Sequence, residues 1–142
     1  MFVNIIVVYE KNQGIGLKNS LPWKISSDLK KFKELTIGNK NNGIVMGKNT
    51  WLSLNNKSLV LRDNLILSNT LSIDKVDKNN NITKSFNNLN LLKEFVEKKN
   101  YDELWIIGGE NIYDLFLNRT NIFKINKIYI TLIDEEIKCD RY

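Results

Sequence analysis

The chain has 142 residues, 42% hydrophobic and 26% charged, which suits one domain with a substantial core and excludes two. It has no histidine and a single cysteine, Cys139, which excludes histidine-based triads, a structural zinc site and an internal disulfide. The 21 Lys plus Arg against 16 Asp plus Glu leave a net charge of +5, which favours anionic partners. The basic residues are scattered, however, without the aromatic–basic interleaving of a nucleic-acid surface. No apolar run approaches the roughly 20 residues of a membrane helix. The opening MFVNIIVVYE carries neither a basic leader nor a small-residue cleavage site, which predicts an intracellular protein.

Residues 2–9 form a near-continuous Val- and Ile-rich run, the pattern of a strand covered on both faces. The polar stretch from Glu10 to Lys24 is too long for a tight turn, and loops of that length are often functional. Ser26 is placed as the cap of a helix through about Thr36, with Leu29, Phe32 and Leu35 on one stripe. A short buried strand follows at Ile44-Val45-Met46, then a helix from Asn49 or Thr50. Residues 59–61, 65–67 and 82–85 read as short strands, and Asp77-Lys78-Asn79-Asn80-Asn81 as a solvated turn. Asn88 starts a helix with Leu91, Leu92, Phe95 and Val96 on its apolar face, and Lys98 and Lys99 complement its C-terminus. A strand at 104–107 runs into Gly108-Gly109 and a helix carrying Ile112, Tyr113 and Phe116; a last strand covers 128–133. Strands alternating with helices predict an α/β fold, a mainly parallel central sheet flanked by helices.

Two junctions read strand, glycine, helix: Met46-Gly47-Lys48-Asn49-Thr50 and Ile107-Gly108-Gly109-Glu110. Glycine there either permits a tight turn or lets a phosphate approach the backbone at a helix start. Neither junction spells a Walker A loop or G-x-G-x-x-G. Asp28 in a first helical turn either complements the macrodipole or, one turn before Phe32, offers an acid to a ligand with an amidine-like edge.

Taken together, Gly14-Ile15-Gly16, Asn19, Leu21-Pro22-Trp23, Asp28-Leu29 with Phe32, Met46-Gly47-Lys48-Asn49-Thr50-Trp51, Ile107-Gly108-Gly109 with Tyr113, and Tyr129-Ile130-Thr131 closely resemble dihydrofolate reductase, in order and across essentially the whole chain. The resemblance implies hydride transfer from NADPH to C6 of dihydrofolate, with a proton reaching N5. It makes Asp28 and Thr131 the pterin-binding, proton-promoting pair, with Leu21 and Trp23 in a mobile lid over the nicotinamide. Ile6, Phe32 and Leu54 line the substrate pocket and Arg62 clamps the glutamate α-carboxylate. The cofactor falls to Val7, Ile15, Gly16, Asn19, Gly47, Lys48, Asn49, Thr50, Ser68 and Asn69, and to Ile107, Gly108, Glu110, Asn111, Ile112 and Tyr113 around Gly109. The Gly108-Gly109 bond corresponds to the family's cis peptide.

Two departures stand out. Asn111 replaces a frequent Arg and Ser68-Asn69-Thr70 offers neutral donors, which implies a weaker preference for NADPH over NADH. The family also continues through a final antiparallel hairpin beyond Tyr142, so the chain reads as one incomplete reductase domain, a fragment or the front of a longer polypeptide such as a fusion with thymidylate synthase. Without that hairpin the last strand is expected to form an exposed apolar edge. The competing readings are the related pyrimidine reductase of riboflavin synthesis and a truncated nucleotide-binding remnant.

Overall fold

The computed structural model describes residues 1–10, 14–15, 26–119 and 122–133, with the backbone alone at 8–10, 14–15, 26–29 and 131–133. The elements are β1 (Phe2–Glu10), β2 (Gly14–Ile15), α1 (Ser26–Ile37), β3 (Asn42–Gly47), α2 (Lys48–Ser53), β4 (Asp63–Leu67) and β5 (Asp74–Val76), followed by β6 (Ile82–Phe86), α3 (Leu89–Lys99), β7 (Glu103–Gly108), α4 (Glu110–Asp114) and β8 (Ile125–Ile133). A π-helical turn, Leu115–Arg119, extends α4.

The strands form one sheet in the order β2-β1-β7-β3-β4-β6-β5, and β8 pairs with the other edge of β1. The pairs are parallel except β1–β2 and β5–β6. A parallel sheet needs cover on both faces, and the period-2 alternation of the strands supplies two cores. Val3, Ile5, Val7, Val45, Leu65, Leu104 and Ile106 face one side, packed by Leu92 and Val96 of α3 and by Phe116 and Phe123. Ile6, Ile44, Met46, Ile66, Trp105 and Ile107 face the other, packed by Phe32 of α1 and Trp51 of α2. Ile5, Ile44, Leu65, Ile66, Leu104 and Ile106 are completely buried, each contributing about 1.5–3 kcal/mol by burial.

Residues 59–61, expected as a strand, form a turn instead. The buried side chain of Asn64 satisfies Leu59 in both directions, accepting from its N–H and donating to its carbonyl, both at 2.9 Å, so no ladder is needed. Leu61 sits at φ +63°, in the left-handed region, at a cost of about 1 kcal/mol. Ser26 is the first helical residue rather than a cap, and Leu91, expected on the apolar face of α3, is 45% exposed. β5 was invisible in the sequence because Asp74 and Lys75 are charged and its one apolar residue, Val76, is exposed; it is held by the β6 ladder and by Lys75, whose Nζ stands 5.6 Å from the Trp51 ring centre. Within the long segment after β1, Gly14 and Ile15 pair back onto Tyr9 and Glu10. Among the described residues β8 pairs only with β1, and its Ile128 and Ile130 are exposed.

The starts of the parallel strands are tied by a buried polar cluster. Asp63, 3% exposed, accepts from Tyr101 Oη (2.6 Å) through one carboxylate oxygen and from the Ile82 N–H (2.8 Å) and Asn81 Nδ2 (3.2 Å) through the other. Lys99 Nζ lies 3.6 Å away. Burial, and then the bond to Asp63, push the Tyr101 phenol well above its ordinary pKa. Tyr101→Phe should therefore cost about 1.5–3 kcal/mol, the value of a hydrogen bond to a charged group. Urea denaturation would read it, and an unchanged midpoint would show that water replaces the phenol.

Candidate active site

The chain leaves β3 outward to β4, whereas it leaves β7 toward β8 on the far side of β1. Adjacent parallel strands whose connections diverge open a crevice at their carboxyl ends. Those ends are Gly47 and Gly108. A Cβ on Gly47 would fall 2.9 Å from Ile112 Cγ1, so glycine is what lets α4 start directly against the end of β3. Gly108 has φ +113°, and a Cβ there would meet Tyr113 Oη at 2.9 Å. The Gly108–Gly109 peptide is cis.

Tyr113 ties β1 to β7 beside the crevice. The β1–β7 pairing ends at Ile5 and Ile106, and the next carbonyls, of Ile6 and Ile107, both accept from the Tyr113 hydroxyl, at 2.8 and 2.9 Å. A single phenol thus bridges two strands that have begun to separate.

Above it lies a cleft of about 840 Å³, between the ends of β3, β4, β6 and β7. The expected cofactor residues Gly47, Lys48, Asn49, Ser68, Asn69, Gly109, Glu110, Asn111 and Ile112 line it together. Neither Gly47 nor Gly109 caps its helix with a side chain, so the amides that follow have no side-chain acceptor there. Amide and hydroxyl donors around a glycine cradle, in a volume within the range of about 300–1,000 Å³ for ligand pockets, fit a dinucleotide. Thr50 is not among the lining residues. It is 4% exposed, and its carbonyl accepts from Ser53 Oγ at 2.6 Å. Val7, Ile107 and Tyr113 are buried in the cores beneath, and Ile15 is placed in β2.

On the opposite face of the sheet, Ile6 and Phe32 pack in one cluster, with Leu54 half-buried against it. Arg62 ends this region. It is 3% exposed; its Nε donates to the Val60 carbonyl (2.8 Å) and its Nη1 to Thr36 Oγ1 (2.9 Å). Thr36 Oγ1 in turn donates to the Phe32 carbonyl (2.8 Å), which fixes the guanidinium to the last turn of α1. Burial lowers Arg62 to about 10, still charged at neutral pH. Among the described residues no carboxylate pairs with it. A buried cation held by neutral groups is suited to an incoming carboxylate.

Asp28 lies in the first turn of α1 and Thr131 in β8 beside Val8; their side chains lie outside the described residues. Gly16, Asn19, Leu21 and Trp23 lie outside them entirely.

The sequence profile described as dihydrofolate reductase matches residues 2–142. The chain belongs to the dihydrofolate reductase family. It is 36% identical over 143 residues to the dihydrofolate reductase of Buchnera aphidicola subsp. Baizongia pistaciae, covering all of this chain and 77% of that one. It is 31% identical to the bifunctional dihydrofolate reductase-thymidylate synthase of Paramecium tetraurelia, covering 98% of this chain and 27% of that one. The Schistosoma mansoni dihydrofolate reductase structure superposes with a TM-score of 0.75 at 33% identity, covering all of this chain and 79% of that one.

In this member of the dihydrofolate reductase family the cleft has further walls that the sequence did not point to: Leu67, Asn87, Asn88, Leu89 and Leu115. Asn87 and Asn88 follow β6 as Lys48 follows β3, a strand-to-helix junction without the glycine that draws the eye. Asn88 was legible only as the cap of α3, where its Oδ1 accepts from the Leu91 N–H at 2.9 Å. Replacing Tyr113 by Phe removes the donor from two buried carbonyls and should lower stability by about 1–3 kcal/mol. Chemical denaturation checks this, and wild-type stability in Tyr113→Phe would mean that the separated strands are hydrated.

Proposed function

We propose that the chain reduces 7,8-dihydrofolate to 5,6,7,8-tetrahydrofolate with NADPH, as one reductase domain spanning 1–142. The observation that carries the reading is the order of chemistry along α1. An acid, Asp28, stands at the sheet's carboxyl end, Phe32 follows one turn later, and Thr36 holds buried Arg62 at the far end. From Asp28 to Thr36 the helix rises about 12 Å. That order suits a ligand with an amidine-like ring at one end, an aromatic middle and a carboxylate at the other, which is the layout of a folate.

Asp28 accepts two hydrogen bonds from the pterin 2-amino and N3 edge, and the negative charge there favours protonation at N5. Thr131 shares that network through its hydroxyl. Ile6, Phe32 and Leu54 pack against the ring system, and Arg62 binds the glutamate α-carboxylate as a fork. Leu21 and Trp23, in the segment from Glu10 to Lys24, shield the reacting atoms from water. Val7, Ile15, Gly16, Asn19, Gly47, Lys48, Asn49, Thr50, Ser68, Asn69, Ile107, Gly108, Gly109, Glu110, Asn111, Ile112 and Tyr113 form the cofactor's surroundings. Bound NADPH supplies the hydride from nicotinamide C4 to pterin C6. The bifunctional relatives support a thymidylate synthase, fused or associated, as a partner. The working compartment of this reading is the cytoplasm; among the described residues no helix is long and apolar enough to cross a membrane.

Dihydrofolate-dependent loss of NADPH absorbance tests the reading, with Asp28→Asn as the control. The variant should lose turnover by about 10²–10⁴ while remaining folded; equal loss of turnover and stability would make Asp28 a structural cap. Arg62→Leu should raise the KM for dihydrofolate without changing NADPH affinity. Because it also removes the donors to the Val60 carbonyl and Thr36 Oγ1, its stability should fall by about 1–3 kcal/mol, so KM is read on the folded fraction. A change in NADPH affinity instead would put Arg62 in the wrong pocket.

A further inference from the structure

A second cavity, of about 450 Å³, lies between α3 and β6 and meets the first cleft at Asn87, which lines both. It exists because α3 is more apolar than the core requires. Leu92 and Val96 are buried in the core, whereas Leu91, Phe95 and Lys98 fall at i, i+4 and i+7 on the adjoining stripe and line the cavity. Leu91 is 45% exposed there. β6 supplies the facing wall. Its Phe86 has its ring centre 5.2 Å from that of Phe95, and Lys84, two residues earlier on the same face of the strand, has its Nζ 6.0 Å from the Phe86 ring centre. Leu71, from the connection between β4 and β5, completes the apolar lining; its carbonyl accepts from Ser85 Oγ at 3.0 Å, which holds that connection in place.

We propose that this groove is a second ligand site, one that takes a small aromatic monocarboxylate. The proposal does not depend on reading the first cleft as a dinucleotide site. The ring system packs on Phe86, Phe95 and Leu91, and the carboxylate is held by Lys84 and Lys98. Glu94 also lines the groove, so the two lysines leave a single positive charge in excess, which suits one negative charge and disfavours two. Lys84 is paired with Asp74 at 3.3 Å, but that carboxylate is 72% exposed. Exposed pairs are worth little, so the ammonium can exchange this partner for an incoming one. From Leu91 to Lys98 the helix rises about 10 Å, the length of a two-ring acid and shorter than an average partner helix of roughly 17 Å.

Titration of the folded protein with naphthoate, followed by backbone amide NMR shifts, tests the site without reference to turnover. The shifts should centre on Lys84, Phe86, Leu91, Phe95 and Lys98 and saturate with a dissociation constant of about 1 mM, as expected for a ligand of this size. The neutral naphthamide should bind about two- to fivefold more weakly, and high salt should remove the difference. Lys84→Gln and Lys98→Gln should each weaken naphthoate by up to about fivefold and leave naphthamide unchanged. Leu91→Asn should weaken both probes, because it removes apolar area shared by both. Equal affinity for the two probes, naphthoate affinity unmoved by both lysine variants, shifts centred on Gly47 and Gly109, or no saturation by about 10 mM would each overturn the proposal.

Discussion

The separation of β1 from β7 is the constraint on which the rest of the site depends. Two parallel strands that part must leave carbonyls behind, and buried carbonyls without donors cost free energy. Tyr113 resolves this with one hydroxyl shared between Ile6 and Ile107. Its ring must then lie against the end of β7, and that is possible only because Gly108 has no Cβ to meet it. Tyr113 belongs to α4, so the same contact fixes where that helix begins, and Gly47 admits its neighbour Ile112 from the other side. Cleft, strand separation and helix placement are consequences of one arrangement.

The buried polar cluster and the cleft lie at opposite ends of the sheet. At the strand starts, Asp63 gathers Tyr101, Asn81, the Ile82 amide and Lys99 into a satisfied buried cluster. At the strand ends, the polar groups face a cleft and keep hydrogen-bonding capacity for a ligand. Such a division is expected for parallel sheets, in which every helix returns the chain to the same end and leaves the other for loops that carry function.

The sequence carried most of this in its periodicities. The alternation 44–46 against 104–107 was legible as buried strand, and it sorts onto the two core faces as the pattern requires. What was not legible involved side chains substituting for backbone. Residues 59–61 look like a strand because Leu-Val-Leu is apolar; the Asn64 amide, five residues after Leu59, takes the place of the ladder. β5 looks like loop because Asp74 and Lys75 are charged; pairing and the Trp51 face hold it. In the site, glycine marked two junctions, while the third, where Asn87 and Asn88 line the cleft after β6, carries no glycine. The burial of Arg62 also has no local signal, because it depends on Thr36, 26 residues earlier.

Arg62 and Lys48 differ in burial. Arg62 is buried and oriented by Val60 and Thr36, so its field is little screened and its geometry is set before a ligand arrives. Lys48 is exposed in a cleft that Glu110 also lines, so its attraction is diluted by solvent. Under the proposed function, charge therefore selects at the Arg62 end, where the guanidinium is buried and already oriented. A net charge of +5 says nothing about either site, because what matters is where water is excluded.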